Sequence, residues 1–233
     1  MSAEPLRVRC FEGVPELTAA LIERLEEALT RPRAGESAVM LSGGSTPMPA
    51  YRALARRGPR PTASTVLFYS DERYVPSSSE ASNYHQTESL VAALALPTER
   101  LLRVRTELPL EDAAADYERS LRALAAGGIR IGLGLLGLGA DGHTASLFNA
   151  EDLARAHGHA AIAVHRPDGR DAVSVTPSVF EQAREIVFVV DGESKRSALA
   201  RLVARDASLT AWQAVRGCTS VSVWTEPQAW PGT

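Results

Sequence analysis

The chain has 233 residues, 45% of them hydrophobic and 23% charged, with a formal net charge of −3. At about 150 residues per domain that is enough for one large core without disulfide or metal staples, and a single domain over 1–233 is expected. The balance excludes a disordered, collagenous or coiled-coil chain and lacks the basic footprint of a nucleic-acid binder, so no nucleic-acid partner is expected.

The longest Gly-tolerant apolar run, Ile131 to Ala140, has 10 residues. That is too short to span a bilayer, and no membrane partner is expected. The opening MSAEPLRVRCFEG has no apolar stretch like that of a signal peptide. Cys10 and Cys218 form neither a metal motif nor a disulfide framework. These features point to a soluble protein of a reducing compartment, expected in the cytoplasm. Of the 25 basic residues, only Lys195 is a lysine. In a chain that otherwise takes Arg, a lone Lys marks a place where a compact ammonium is needed, or a solvated helix face.

In chain order, Leu17 to Leu29 has helical apolar spacing. Ser37 to Leu41 reads as a buried strand running into a Gly-rich turn, Met48 to Ala55 as a helix, and Thr65 to Tyr69 as a strand. Ser82 to Leu94 reads as one helix with Ser82 as N-cap, and Glu111 to Ala126 as a second. Ile129 to Leu136, Ala160 to His165, Ala172 to Thr176, Ile186 to Val190 and Ser220 to Trp224 read as strands, with a helix from about Glu193 to Ala204. Strands alternate with helices nearly throughout. The expected fold is α/β, a three-layer, Rossmann-like, mostly parallel sheet with helices on both faces. Ligands of such sheets bind beyond the C-terminal strand ends, where loops 42–47, 70–76, 137–146 and 191–195 should converge.

Ser42-Gly43-Gly44-Ser45-Thr46-Pro47 joins a strand to a helix. Gly43 and Gly44 allow close backbone approach to an anion, Ser45 and Thr46 add hydroxyls, and the helix N-terminus adds free N–H groups. An ordinary capped turn is the alternative. No Gly-Lys-Ser/Thr follows, so it is not a Walker A loop. In Asp71-Glu72-Arg73, either acid is a candidate base, and Arg73 can fork a phosphate or carboxylate. The alternative is a solvated loop of paired charges.

Gly137-Leu138-Gly139-Ala140-Asp141-Gly142-His143-Thr144 contains a literal G-x-G-x-x-G. It lies mid-chain, and no acidic residue closes a strand about 20 residues on, so a dinucleotide site is rejected. The better reading is a tight loop presenting Asp141 and His143. An imidazole titrates near 6.5 in water and is a ready general base at neutral pH, with a nearby carboxylate to orient it. His157, His159 and His165 lack further ligands at a metal spacing and read as surface residues. His85 is assigned no role.

LSGGSTP at 41–47, SDERYVP at 70–76, SNYHQ at 82–86 and LGADGHTASLF at 138–148 resemble the 6-phosphogluconolactonase family, in order and spacing, over roughly residues 8–225. The chain is more distantly similar to glucosamine-6-phosphate deaminases, whose matching loops read DEY and DGHIAF. Arg73 and Thr144-Ala145-Ser146 favour the lactonase. The resemblance implies cofactor-free, metal-free hydrolysis of 6-phosphogluconolactone to 6-phosphogluconate in the oxidative pentose phosphate pathway, by a monomer or small homo-oligomer whose partner is the phosphosugar lactone.

It also implies that His143 activates water beside Asp141. Gly43, Gly44, Ser45, Thr46, Asp71, Arg73 and Lys195 would hold the phosphate and neighbouring oxygens, with Lys195 in the family's Gly-x-x-Lys. Two positions depart from the family pattern. Ala140 stands where Glu is common, and Ala172 stands where an Arg precedes the Val-Ser-Val-Thr strand. Arg166 and Arg170 in the preceding loop are the candidates to replace that Arg.

Overall fold

The computed structural model describes residues 6–35, 37–230 and 232. Seven strands form the main sheet: β1 (Arg7–Cys10), β2 (Ala38–Leu41), β3 (Val66–Tyr69), β5 (Leu101–Leu102), β6 (Ile131–Leu136), β9 (Ile186–Val189) and β10 (Val221–Thr225). Their order is β1-β10-β9-β6-β2-β3-β5, and every pairing is parallel. The chain runs outward from β2 through β3 to β5, then returns to β6 on the other side of β2. The β2/β6 boundary is therefore the topological switch point, beyond whose C-terminal end such sheets bind ligands.

Strand periodicity builds three layers. Val39, Leu41, Leu67, Tyr69, Leu133, Leu135, Val187 and Val189 pack on one face, against helices Val14–Thr30, Met48–Arg57 and Glu88–Leu94. Ala38, Met40, Val66, Phe68, Ile186 and Phe188 pack on the other, against helices Leu110–Ala126, Arg196–Val203 and Thr210–Val215. Two-residue alternation sends neighbours to opposite cores, so these strands read as unbroken apolar runs.

The strands expected at 160–165 and 172–176 lie outside this sheet. They form β7 (Ala161–His165) and β8 (Asp171–Val175), an antiparallel hairpin joined to β4 (Asp71–Arg73) in a second sheet of order β4-β8-β7. The five residues between β7 and β8 are too few for a parallel crossover, which needs a dozen or more. Segment 71–73, read as loop, is thus a strand whose polar side chains carry no alternation. The helix expected over 82–94 breaks into Asn83–Gln86 and Glu88–Leu94 at Thr87. The Thr87 hydroxyl turns back to the carbonyls of Asn83 (3.1 Å) and Tyr84 (2.9 Å) and pairs with the Tyr69 hydroxyl at 2.7 Å. Among the described residues, no helix is long and apolar enough to cross a membrane.

Candidate active site

Because β9, β6, β2 and β3 are adjacent and parallel, the loops that follow them open on one edge. A cleft of about 510 Å³ lies there, in the size range of small-ligand sites. Gly43, Gly44, Ser45, Thr46, Asp71, Arg73, His143 and Lys195 all line it. Asp141 stands behind His143.

The 42–47 loop is held from beneath by the buried Tyr51, whose hydroxyl donates to the Ser42 carbonyl (3.0 Å) and accepts from the Ser42 N–H (3.3 Å). Gly44 sits at φ +95°, a left-handed conformation that favours glycine. A Cβ on Gly43 would fall 1.8 Å from Oδ1 of the buried Asn83. No described residue accepts a hydrogen bond from the backbone N–H of Gly43, Gly44, Ser45 or Thr46. The loop thus carries open donors at the start of helix Met48–Arg57, the arrangement that binds anions. The Thr46 hydroxyl donates to Asp191 at 2.6 Å, tying this loop to the one bearing Lys195. The Lys195 ammonium makes no hydrogen bond or ion pair to any described residue.

The acidic pair at 71–72 divides. Glu72 is a structural cap. It is 2% exposed and accepts from the N–H groups of Asn83 (2.7 Å), Tyr84 (2.8 Å) and Arg73 (2.8 Å) and from the Ser82 hydroxyl (3.1 Å). Burial, with the neighbouring Asp71 charge, raises its pKa even against those donors. Asp71 faces the cleft, and both of its oxygens are engaged: Ser70 donates to Oδ1 (3.0 Å) and Ser146 to Oδ2 (2.8 Å). Arg73 is positioned by Asn83, which accepts from its Nη1 while donating to the Asp71 carbonyl at 2.8 Å.

In the 137–146 loop, the Gly139 N–H donates to the His143 carbonyl (2.9 Å) and the Gly142 N–H to the Gly139 carbonyl (3.0 Å). A Cβ on Gly139 would lie 2.1 Å from His143 Nδ1 and 2.3 Å from Asp141 Oδ1, so glycine is required there. His143 Nδ1 and Asp141 Oδ1 are 2.6 Å apart. Burial pushes the Asp141 carboxyl up, but the hydrogen bond from His143, the charge of that ring and backbone N–H groups outweigh it and lower its pKa. Asp141 is therefore an ionised acceptor at neutral pH. An ionised Asp141 favours a proton on Nδ1, so in the neutral imidazole it is Nε2 that carries the lone pair.

Of the two candidate arginines in the loop before β8, Arg166 lines the cleft and Arg170 does not. Ala172 pairs with Arg73 across the β4–β8 ladder, and Arg166 enters from the turn of the same hairpin. Its side chain is 14% exposed. It lies over the Phe148 ring (5.1 Å), which also packs on His143 (4.3 Å between centroids). The signal was its place in a short hairpin turn, which only strand pairing reveals. His159 and His165 pair with Glu118 (3.2 Å) and Asp171 (2.7 Å) outside the cleft. No three His, Cys, Asp or Glu among the described residues converge as metal ligands.

The profile described as Glucosamine-6-phosphate isomerases/6-phosphogluconolactonase matches residues 12–224. The chain belongs to this family. It is 34% identical to human 6-phosphogluconolactonase, over 85% of this chain and 82% of that one. It is 33% identical to the Thermotoga maritima 6-phosphogluconolactonase over 80% and 82%. The crystal structure of the Thermotoga maritima enzyme superposes with a TM-score of 0.77 at 26% identity, covering 96% and 99% of the two chains. A monomeric glucosamine-6-phosphate deaminase superposes at 0.78 with 16% identity, covering 96% and 98%, and shares the fold. Both activities of this family occur on one scaffold, so the loop chemistry must separate them.

Proposed function

We propose that the protein hydrolyses 6-phosphogluconolactone to 6-phosphogluconate, with His143 as general base. The observation that carries this reading is the Asp141–His143 pair beside a cleft whose other walls hold an open-amide loop and three cations. Relatives at 33–34% identity named 6-phosphogluconolactonase support it.

The substrate phosphate lies on the Gly43-Gly44-Ser45-Thr46 amides and Lys195, with Arg73 and Arg166 for further anionic oxygens. Asp71 accepts from sugar hydroxyls. Nε2 of His143 takes a proton from water, which attacks the lactone carbonyl, and Asp141 steadies the imidazolium that forms. The oxyanion is met by backbone N–H groups of a Gly-rich loop or by Arg73. His143 then returns the proton to the ring oxygen as the C–O bond opens. The lactone already hydrolyses slowly in water, so base catalysis worth ~10²–10⁴ plus positioning suffices. No covalent intermediate is needed.

The test is proton release from freshly prepared 6-phosphogluconolactone, set against spontaneous opening, beside ammonia release from glucosamine 6-phosphate. Acceleration of the first alone is expected. Ammonia release without lactone hydrolysis overturns the reading and places the base at Asp71.

A further inference from the structure

Ser146 is fully buried, yet its hydroxyl lies between two charged groups of the cleft. It donates its one proton to Asp71 Oδ2 at 2.8 Å and accepts from Arg166 Nη1 at 3.1 Å. The direction of this chain is fixed, because a hydroxyl has one proton and a guanidinium only donates. The backbone holds the hydroxyl in place. The Ser146 N–H donates to Ser174 Oγ at 3.2 Å, and Ser174 is the ladder partner of Asp71. Ala145, just before it, takes a left-handed φ of 49° and lines the cleft. A non-glycine residue there is uncommon and points to a loop conformation set by its surroundings.

Arg166 has other holds. Asp168 accepts from its Nε at 3.3 Å, and Phe148 supports its flat face. Neither ties it to the carboxylate side of the cleft. Ser146 alone among the described residues joins the hairpin cation to Asp71.

We infer that Ser146 is a positioning residue: its hydroxyl locks Asp71 as an acceptor and aims Arg166 at an anionic group of the bound substrate. This rests on the proposed lactonase reading. Removing that hydroxyl would leave Asp71 Oδ2 without a hydrogen-bond donor among the described residues, with Ser70 still donating to Oδ1.

The test is a double-mutant cycle of wild type, Ser146→Ala, Arg166→Ala and the double variant. It reads kcat and KM for the lactone, and the affinity for 6-phosphogluconate by calorimetry. A group acting through another shows non-additive effects. Ser146→Ala is expected to raise KM and weaken 6-phosphogluconate binding about tenfold, the scale of one hydrogen bond to a charged group, with kcat within about threefold. The double variant should bind more tightly than the product of the two single losses, because the part of the Ser146 effect that runs through Arg166 is already gone in Arg166→Ala. Should Ser146→Ala fail to fold, Ser146→Cys, near in shape and a weak donor, takes its place in the cycle.

Independent, additive losses, or an unchanged KM in Ser146→Ala, overturn the inference while lactone turnover by wild type leaves the functional reading standing. Binding of 6-phosphogluconate with the expected coupling, but without turnover, overturns the functional reading alone. Neither turnover nor binding in wild type overturns both.

Discussion

Asp141→Asn separates the catalytic value of the Asp141–His143 pair from its structural value. The Asp141 side chain is 57% exposed and that of His143 24%, so solvent screens the pair. Its contribution to stability is at most about 1 kcal/mol, which for a chain of this size is a Tm change of about 2–4 °C. The sign with pH follows from the lowered Asp141 pKa. The carboxylate's contribution is complete above the ordinary value of 3.8 and is lost only as pH falls through the lower folded value. The catalytic effect is larger. Oδ1 also accepts from the His143 N–H at 3.2 Å, which keeps an Asn oxygen turned toward the ring. The acceptor then becomes neutral, and hydrogen bonds to charged groups exceed neutral ones by about 1–1.5 kcal/mol, or up to about tenfold in rate. Any amide that flips offers N–H to Nδ1, moves the ring proton to Nε2 and removes the base. A kcat loss of about 10–100-fold is expected, with KM within about twofold, measured by indicator-detected proton release corrected for spontaneous hydrolysis. A kcat within twofold of wild type refutes the orienting role of Asp141.

Lys195→Ala should weaken 6-phosphogluconate binding by about 10–100-fold, leave gluconate binding unchanged and barely move Tm, since no described group depends on it; calorimetry with both ligands decides. Gly43→Ala drives a Cβ into Asn83, which positions Arg73, so lactone kcat/KM should fall at least tenfold; near-normal kinetics would mean that the loop shifts freely. Glu72→Ala strips the acceptor from the backbone N–H groups of Asn83 and Tyr84 at the start of helix Asn83–Gln86 and from that of Arg73 in β4. A loss of about 3 kcal/mol, or about 6–12 °C in Tm, is expected by calorimetric melting, and an unchanged Tm refutes the capping role.

The main sheet was legible because its inner strands are short apolar runs ended by Gly-bearing or charged loops, and parallel pairing then brings those loops to one edge. The Gly137–His143 segment was legible down to its pair, since Asp and His flanking a glycine have few ways to turn. Three features were hidden. Asp71–Arg73 carries no apolar alternation, so its ladder to β8 exists only in the fold. Glu72 and Asp71 look alike in sequence, and their different roles come from which donors surround each. Arg166 reaches the cleft because five residues close the hairpin, placing it in the turn just beyond the His165–Asp171 pair, two residues on from Val164, the ladder partner of Ala172.

The most direct measurement is His143→Ala against wild type, with lactone turnover and 6-phosphogluconate affinity read on the same preparations. A fall in kcat of about 10²–10⁴, with affinity for 6-phosphogluconate within about threefold, is the predicted result. Turnover near that of wild type would show that another group activates the water and would contradict the assignment of His143.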